Sequence, residues 1–383
     1  MRRLPAFDMP LFICFLILVG LGITYVYTSS YPKALPDSGE GGVILAFTFA
    51  GKQIFFALLG LLAMFGCMYT SINLFRRFAR IIYYGIGFLL VLVLMVGAAK
   101  HGNRAWIDVG LFQFQPSEFE KVAIIIALSA YLAEHPWCVR TWKGLLTGPY
   151  LIIGIPLVLI ALQGDLGTAT VTALASIVIM AVAGTKFRFW GVPMLIFLCL
   201  AAIAVLTSHR VERIEAWRHP FNESIQESYQ PRNSLIAVGS GALFGRGFCM
   251  SRQKWFYLPG SHNDYIFAII AEELGFFGLL IFLFAPYLFM SFRGFTVAHR
   301  APDEFSALMA AGCTVMLTTQ ALINMCVVTN IIPCMGINLP FISYGGTSLI
   351  ASMIMAGLLL NVSGQRLKQQ HRHTTRFEAM PTA

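Results

Sequence analysis

The sequence predicts an all-α integral membrane protein, and three observations carry that prediction. Apolar residues make up 57% of the 383-residue chain, only 12% of residues are charged, and mean hydropathy is +0.72. Soluble domains carry about 25% charged residues. The apolar residues also gather in runs of about 20, the length an α-helix needs to cross a hydrocarbon core. One polytopic bundle therefore replaces the two or three domains that chain length suggests for a soluble protein.

Ten runs can be placed, at 9–28, 49–70, 81–98, 118–134, 148–163, 168–184, 190–207, 265–292, 306–329 and 347–363. Only Gly164-Asp165-Leu166-Gly167 separates the fifth from the sixth, so these two also read as one broken segment. Connections on one side hold Arg2 and Arg3, Arg76, Arg77 and Arg80, Arg140 and Lys143, Lys186 and Arg188, and Arg293 and Arg300. The positive-inside rule then puts both termini in the cytoplasm. The chain reads as one membrane domain over 1–364, with a short polar cytoplasmic tail at 365–383.

The opposite side is poor in charge except for one long connection, 208–264, between spans seven and eight. It carries seven basic residues, so it faces outward against its own charge. Long loops cross regardless of charge, but the exception also suits arginines and lysines that bind something anionic.

Several classes drop out. The first apolar run has no small-residue cleavage site and reads as a span, not a signal peptide. The eight cysteines show neither CxxC spacing nor a His-Cys cluster, and read as small core hydrophobes. The net charge of +9 suits anionic lipid head groups, and no aromatic-basic surface points to nucleic acid.

Ionisable residues near the bilayer mark candidate sites. Glu118 and Lys121, three apart at the start of the fourth span, share a helix face and can pair in a water-filled cavity. The plainer reading is a helix start capped by Ser117, with Glu118 suiting the dipole and Glu120 an interfacial charge. Asp165 is either a turn residue or part of a Gly-flanked break at a binding site. Asp264 ends the long loop, with His262, Lys254 and Arg252 nearby and Arg210 and Arg213 upstream. It reads either as a reactive carboxylate or as a cap for the next helix. Glu272 and Glu273 are as readily structural as catalytic. The uncharged run from Pro333 through Gly336, Pro340 and Gly346 reads as scaffold or as backbone lining a cavity.

Five stretches together resemble the SEDS family of bacterial membrane proteins (shape, elongation, division and sporulation), which includes FtsW and RodA. They are WIDVGLFQFQPSEFEK (106–121), GDLGT (164–168), SYQPRNSLIAVGSGALFGRG (228–247), QKWFYLPGSHNDYIFAIIAEELGF (253–276) and PCMGINLPFISYGGTS (333–348). Arg213, Ala216-Trp217, Pro220 and the 251–259 run look more like the FtsW branch than RodA. The chain departs from the pattern at Gly164, Gly260, Asn263, Asn233 and Ala105.

The resemblance implies a ten-helix bundle that polymerises lipid II into peptidoglycan strands at the division septum, in the cytoplasmic membrane. It implies Asp264 as the catalytic carboxylate, with Glu118, Lys121 and Asp165 in a cavity beneath it. It also implies a class B penicillin-binding protein as partner, alongside other divisome proteins. Such a reaction needs a base for the attacking hydroxyl and positive charge at a leaving pyrophosphate. Asp264 suits the first. Arg210, Arg213, Lys254, Lys121 and His262 suit substrate contact, with a divalent cation, magnesium or manganese, as a further source of charge. A RodA-like elongation polymerase and a lipid II flippase are the alternatives.

Overall fold

The computed structural model describes residues 7–34, 42–100, 103–108, 110, 113–191 and 208–378, and at 33–34, 42–48, 98–100, 103–104, 208–210 and 366–378 it describes the backbone alone. Its helices are α1 (Met9–Ser30), α2 (Gly42–Tyr69), α3 (Ile72–Val96), α4 (Pro116–Glu134), α5 (Trp142–Thr147), α6 (Pro149–Leu162), α7 (Leu166–Val182), α8 (Ser208–Arg218), α9 (Tyr229–Gly241), α10 (Ile266–Leu279), α11 (Ala285–His299), α12 (Glu304–Val328) and α13 (Gly346–Glu378). A π-helical stretch, Leu280–Phe284, joins α10 to α11 without a turn.

Among the described residues, six helices are long and apolar enough to cross a bilayer: Met9–Ser30, Phe49–Tyr69, Ile72–Val96, Ile266–His299, Glu304–Val328 and Gly346–Gln365. Helices α6 and α7 are shorter, and α4 carries four charged residues in its 19. The seventh predicted span, 190–207, lies almost wholly outside the described residues. The chain is mostly helical and threads a membrane several times.

Three expectations change. First, the class is not purely α: a three-stranded antiparallel sheet, β1 (Ala98–Lys100), β2 (Asn103–Asp108) and β3 (Gln113–Phe114), fills the connection between α3 and α4. Trp106 and Ile107 lie in β2, where aromatic and branched side chains favour extended backbone. Secondly, α3 begins at Ile72, so Arg76, Arg77 and Arg80 lie in its first turns and not in a loop. Arg76 and Arg80 approach Glu134 at 3.6 and 3.8 Å. Thirdly, the 208–264 connection contains the two helices α8 and α9.

Burial ranks the helices. The apolar windows of α12 and α13 are 78% and 83% buried inside the protein, whereas that of α3 is only 22% buried. Helices α12 and α13 are therefore the core, and α3 faces lipid. With no hydrophobic drive between helices in lipid, close approach needs small residues. A Cβ at Gly357 of α13 would lie 2.5 Å from the Met64 carbonyl of α2, and Gly60 of α2 faces Met353 in the same way.

Candidate active site

A cavity of about 2240 Å³ opens where α4, α7, α8 and the segment 333–347 converge. Its polar lining comes from the end of the bundle at which β3, α4, α7 and α10 begin, which is the outward end in the predicted topology. Among the predicted residues it gathers Glu118, Lys121, Asp165, Arg213, His262 and Asp264.

The α6–α7 break forms its floor. Gly164 takes φ +86°, a conformation cheap only for glycine, and turns the chain so that Asp165 caps α7. The Asp165 carboxylate accepts from Thr168 N at 3.1 Å, Gln115 Nε2 at 2.9 Å and Ser117 Oγ at 3.1 Å. It is thus both the turn residue and a buried strut joining the starts of α4 and α7. Ser117 is committed to that strut. It does not cap α4, whose N-cap is Gln115, with no side-chain bond to the helix's own N–H groups.

One turn along α4, Lys121 Nζ meets Glu118 Oε2 at 2.8 Å, with both side chains buried. The same nitrogen donates to Gln320 Oε1 of α12 at 2.8 Å, and Gln320 Nε2 donates to Asn338 O at 3.0 Å. Lys121 therefore links α4, α12 and the uncharged segment. Glu120, expected at the interface, is instead fully buried and neither oxygen has a hydrogen-bond partner among the described residues.

Backbone bonds hold Asp264. Asn324 Nδ2 of α12 donates to the Asp264 carbonyl at 2.8 Å and to the Ile337 carbonyl at 2.6 Å. Ser343 Oγ donates to Asn263 O at 2.8 Å, and Tyr344 N to His262 O at 2.9 Å. The Asp264 carboxylate is half-buried in the cavity wall beside Gly336. It does not cap the next helix: the N-cap of α10 is Tyr265, with no side-chain capping bond. Burial raises its pKa from 3.8 to about 6, with the Asp165 carboxylate adding to the rise and Arg213 opposing it.

The cations divide. Arg213 lines the cavity and lies 3.8 Å from Glu227. The Arg210 side chain falls outside the described residues. His262 packs between Phe49 and Tyr344, with ring centroids at 5.3 and 5.6 Å. Lys254 is not brought to the cavity: its Nζ is buried against Glu273 Oε1 at 3.0 Å and Cys249 O at 2.7 Å. Glu272 and Glu273 take the structural role. Glu272 accepts from Ser251 Oγ at 2.5 Å, Arg252 N at 3.1 Å and Gln253 N at 3.2 Å, and Glu273 from Cys249 N at 3.0 Å.

Sequence reasoning missed Gln320, Asn324 and Lys52, the last a lining residue of the cavity, whereas the bond from Ser343 bears out the scaffold reading of its segment. Gln320 and Asn324 carried a signal: two amides four residues apart share one face inside an apolar run. Among the described residues no group of three or more His, Cys, Asp or Glu could hold a metal. Both Asp165 oxygens already accept hydrogen bonds, so a divalent cation would fall to Asp264 together with oxygens of a bound substrate.

A family model described as "cell cycle protein", spanning FtsW, RodA and SpoVE, matches residues 9–368. Stage V sporulation protein E of Bacillus subtilis (strain 168) is 38% identical over 361 residues, covering 93% of this chain and 96% of that protein. A probable peptidoglycan glycosyltransferase FtsW of Geobacter sp. (strain M18) is 34% identical over 369 residues, covering 95% and 98%. Among solved structures, RodA of Thermus thermophilus, a rod shape determining protein, matches with a TM-score of 0.69 at 29% identity, covering 94% and 98%. A chain from a peptidoglycan synthase complex that coordinates polymerization and crosslinking matches with a TM-score of 0.76 at 29% identity and the same coverage.

Proposed function

The chain belongs to the FtsW/RodA/SpoVE family of cell cycle proteins, and from that premise we propose that it is a peptidoglycan glycosyltransferase that polymerises lipid II at the division septum. One observation carries the proposal: Asp264 is held by its backbone at the wall of a large cavity, while none of the described groups donates to its carboxylate. A side chain positioned yet uncommitted is what a general base requires.

In this reading a sugar hydroxyl of one substrate attacks the anomeric carbon of another. The new C–O bond forms as the bond to the pyrophosphate breaks. The hydroxyl proton passes to Asp264, and undecaprenyl pyrophosphate leaves with the bonding electron pair. No acid need protonate that leaving group, unlike the second carboxylic acid of most glycoside hydrolases. Arg213 faces the cavity and would meet the developing charge. Lys121 contributes position more than charge, because Glu118 neutralises it at 2.8 Å. Lys254, paired with Glu273, has no part in substrate contact. Asp264 would be the protein's ligand for a divalent cation, which would add positive charge at the leaving group.

The location of the cavity supports a polymerase over a flippase. Its ionisable groups come from one end of the bundle, whereas alternating access needs a site reachable from both sides. The proposal includes ten spans with both termini cytoplasmic, and a class B penicillin-binding protein transpeptidase as partner beside other divisome proteins. The test is polymerisation of labelled lipid II by the purified protein, with and without that partner and with EDTA. Wild type should make glycan strands, EDTA should slow it, and Asp264→Ala should make none. Wild-type rates from Asp264→Ala would remove the assignment, and lipid II movement across vesicles without polymer would favour the flippase.

A further inference from the structure

We propose that residues 243–257 form an interfacial anchor in the outer leaflet, with their apolar side chains among phospholipid acyl chains. The inference rests on the membrane topology proposed above and not on the polymerase reading.

The first argument is depth. The 34-residue apolar stretch Ile266–His299 is broken at Gly275 (φ +68°, ψ −173°), and only the part after that break rises evenly at about 1.5 Å per residue. A hydrocarbon core is about 30 Å thick, or roughly 20 residues of helix. Arg293, ion-paired with Asp8 at 2.8 Å, marks the cytoplasmic limit. The helix between Gly275 and Arg293 is about 27 Å long, which puts the break at Gly275 close to the outer hydrocarbon edge. At that level residues 242–247 lie against α10. Arg246 N donates to Glu272 O at 3.0 Å and Gly247 N to Glu273 O at 3.1 Å, while Phe276 N and Phe277 N donate to Ala242 O and Leu243 O at 2.9 and 3.1 Å. Gly245 and Gly275, both at positive φ, allow the two backbones to touch.

The second argument is polarity. Irregular backbone at this depth is tolerated only when its polar groups are satisfied within the protein. The Glu272 and Glu273 carboxylates do that work for Cys249, Ser251, Arg252 and Gln253. The outward surface is the reverse. Phe244, Phe248, Met250, Trp255, Phe256 and Tyr257 are 81, 55, 67, 43, 65 and 56% exposed. None of these lines the cavity, so they are not placed to hold the substrate's polyprenyl tail. They continue an exposed face of α10, where Phe276 and Phe277 are 55 and 45% exposed.

The third argument is charge. Arg246, 3.6 Å from Glu272, and Arg252 are exposed within the same stretch. Aromatic rings interleaved with arginines match the head-group layer of an anionic bilayer, where rings sit at the boundary and cations meet phosphate.

The test uses the wild-type chain in nanodiscs of phosphatidylethanolamine and phosphatidylglycerol, with a phospholipid carrying a diazirine in its acyl chain. After photolysis, peptide mapping should find adducts on 243–257 at a yield within about threefold of the lipid-facing control 276–288. Adducts on the control but more than about tenfold fewer on 243–257 would place the segment in water and overturn the proposal. Loss of the adducts on adding the partner transpeptidase would assign the surface to protein, and overturn it equally.

Discussion

If Asp264 is the base, polymerisation should fail in acid with a midpoint set by the cavity. Only the ionised carboxylate can accept the hydroxyl proton, so the rate follows its ionised fraction. A pKa of about 6 leaves Asp264 about 90% ionised at pH 7 and about 10% at pH 5. The rate should therefore fall roughly tenfold over that interval, whereas a carboxylate at the usual 3.8 would lose only about 6%. The causes predict the direction of a second change. Arg213 lowers this pKa, so Arg213→Gln should move the acid limb to higher pH as well as slow the reaction. The assay is initial rate of lipid II polymerisation from pH 4.5 to 8, at substrate well below KM so that the profile reports the free enzyme, with circular dichroism checking that the fold survives. A flat profile down to pH 5 would refute the reasoning, as would an acid shift of the limb in Arg213→Gln.

The same carboxylate should trade activity against stability. Its folded pKa is raised, so the folded protein binds that proton more tightly than the unfolded chain. Asp264 therefore favours folding at low pH and opposes it as pH rises through about 6. The rise from 3.8 corresponds to at most ~3 kcal/mol, discounted to ~1 because the group is half-buried and faces a cavity. Asp264→Asn should thus abolish polymer and raise the melting temperature at pH 7.5, with the difference vanishing near pH 4. Lys121→Met should cost ~3 kcal/mol, because it strands the buried Glu118 carboxylate. Adding Glu118→Gln should restore most of that loss in a thermal melt; additive losses would mean the two residues do not act as a pair.

The Asp264 motif and the charged start of α4 were legible in the sequence because a charge in an apolar setting is visible in one dimension. Lys254 shows the limit of such reading. Its nearness to Asp264 along the chain suggested a shared site, yet its partner is Glu273, 19 residues further on. The two meet only because the stretch 249–254 folds back along α10, and nothing local to either residue announces that return. The same holds for Glu120, whose burial depends on how α3 and α6 pack against α4.

The sequence by itself determined a membrane bundle, its family, and the carboxylates and cations from which a site could be built. These follow from hydropathy and from local patterns, which each stretch of chain carries alone. Only the tertiary structure decided which of those groups meet. It set Asp165 between Gln115, Ser117 and Thr168, gave Lys121 to Glu118 and Gln320, and withdrew Lys254 from the cavity. It also left the Asp264 carboxylate uncommitted, its backbone held in place by the amide of Asn324, 60 residues away. Hydrogen bonds between distant residues depend on how helices pack, and that packing is a property of the whole chain.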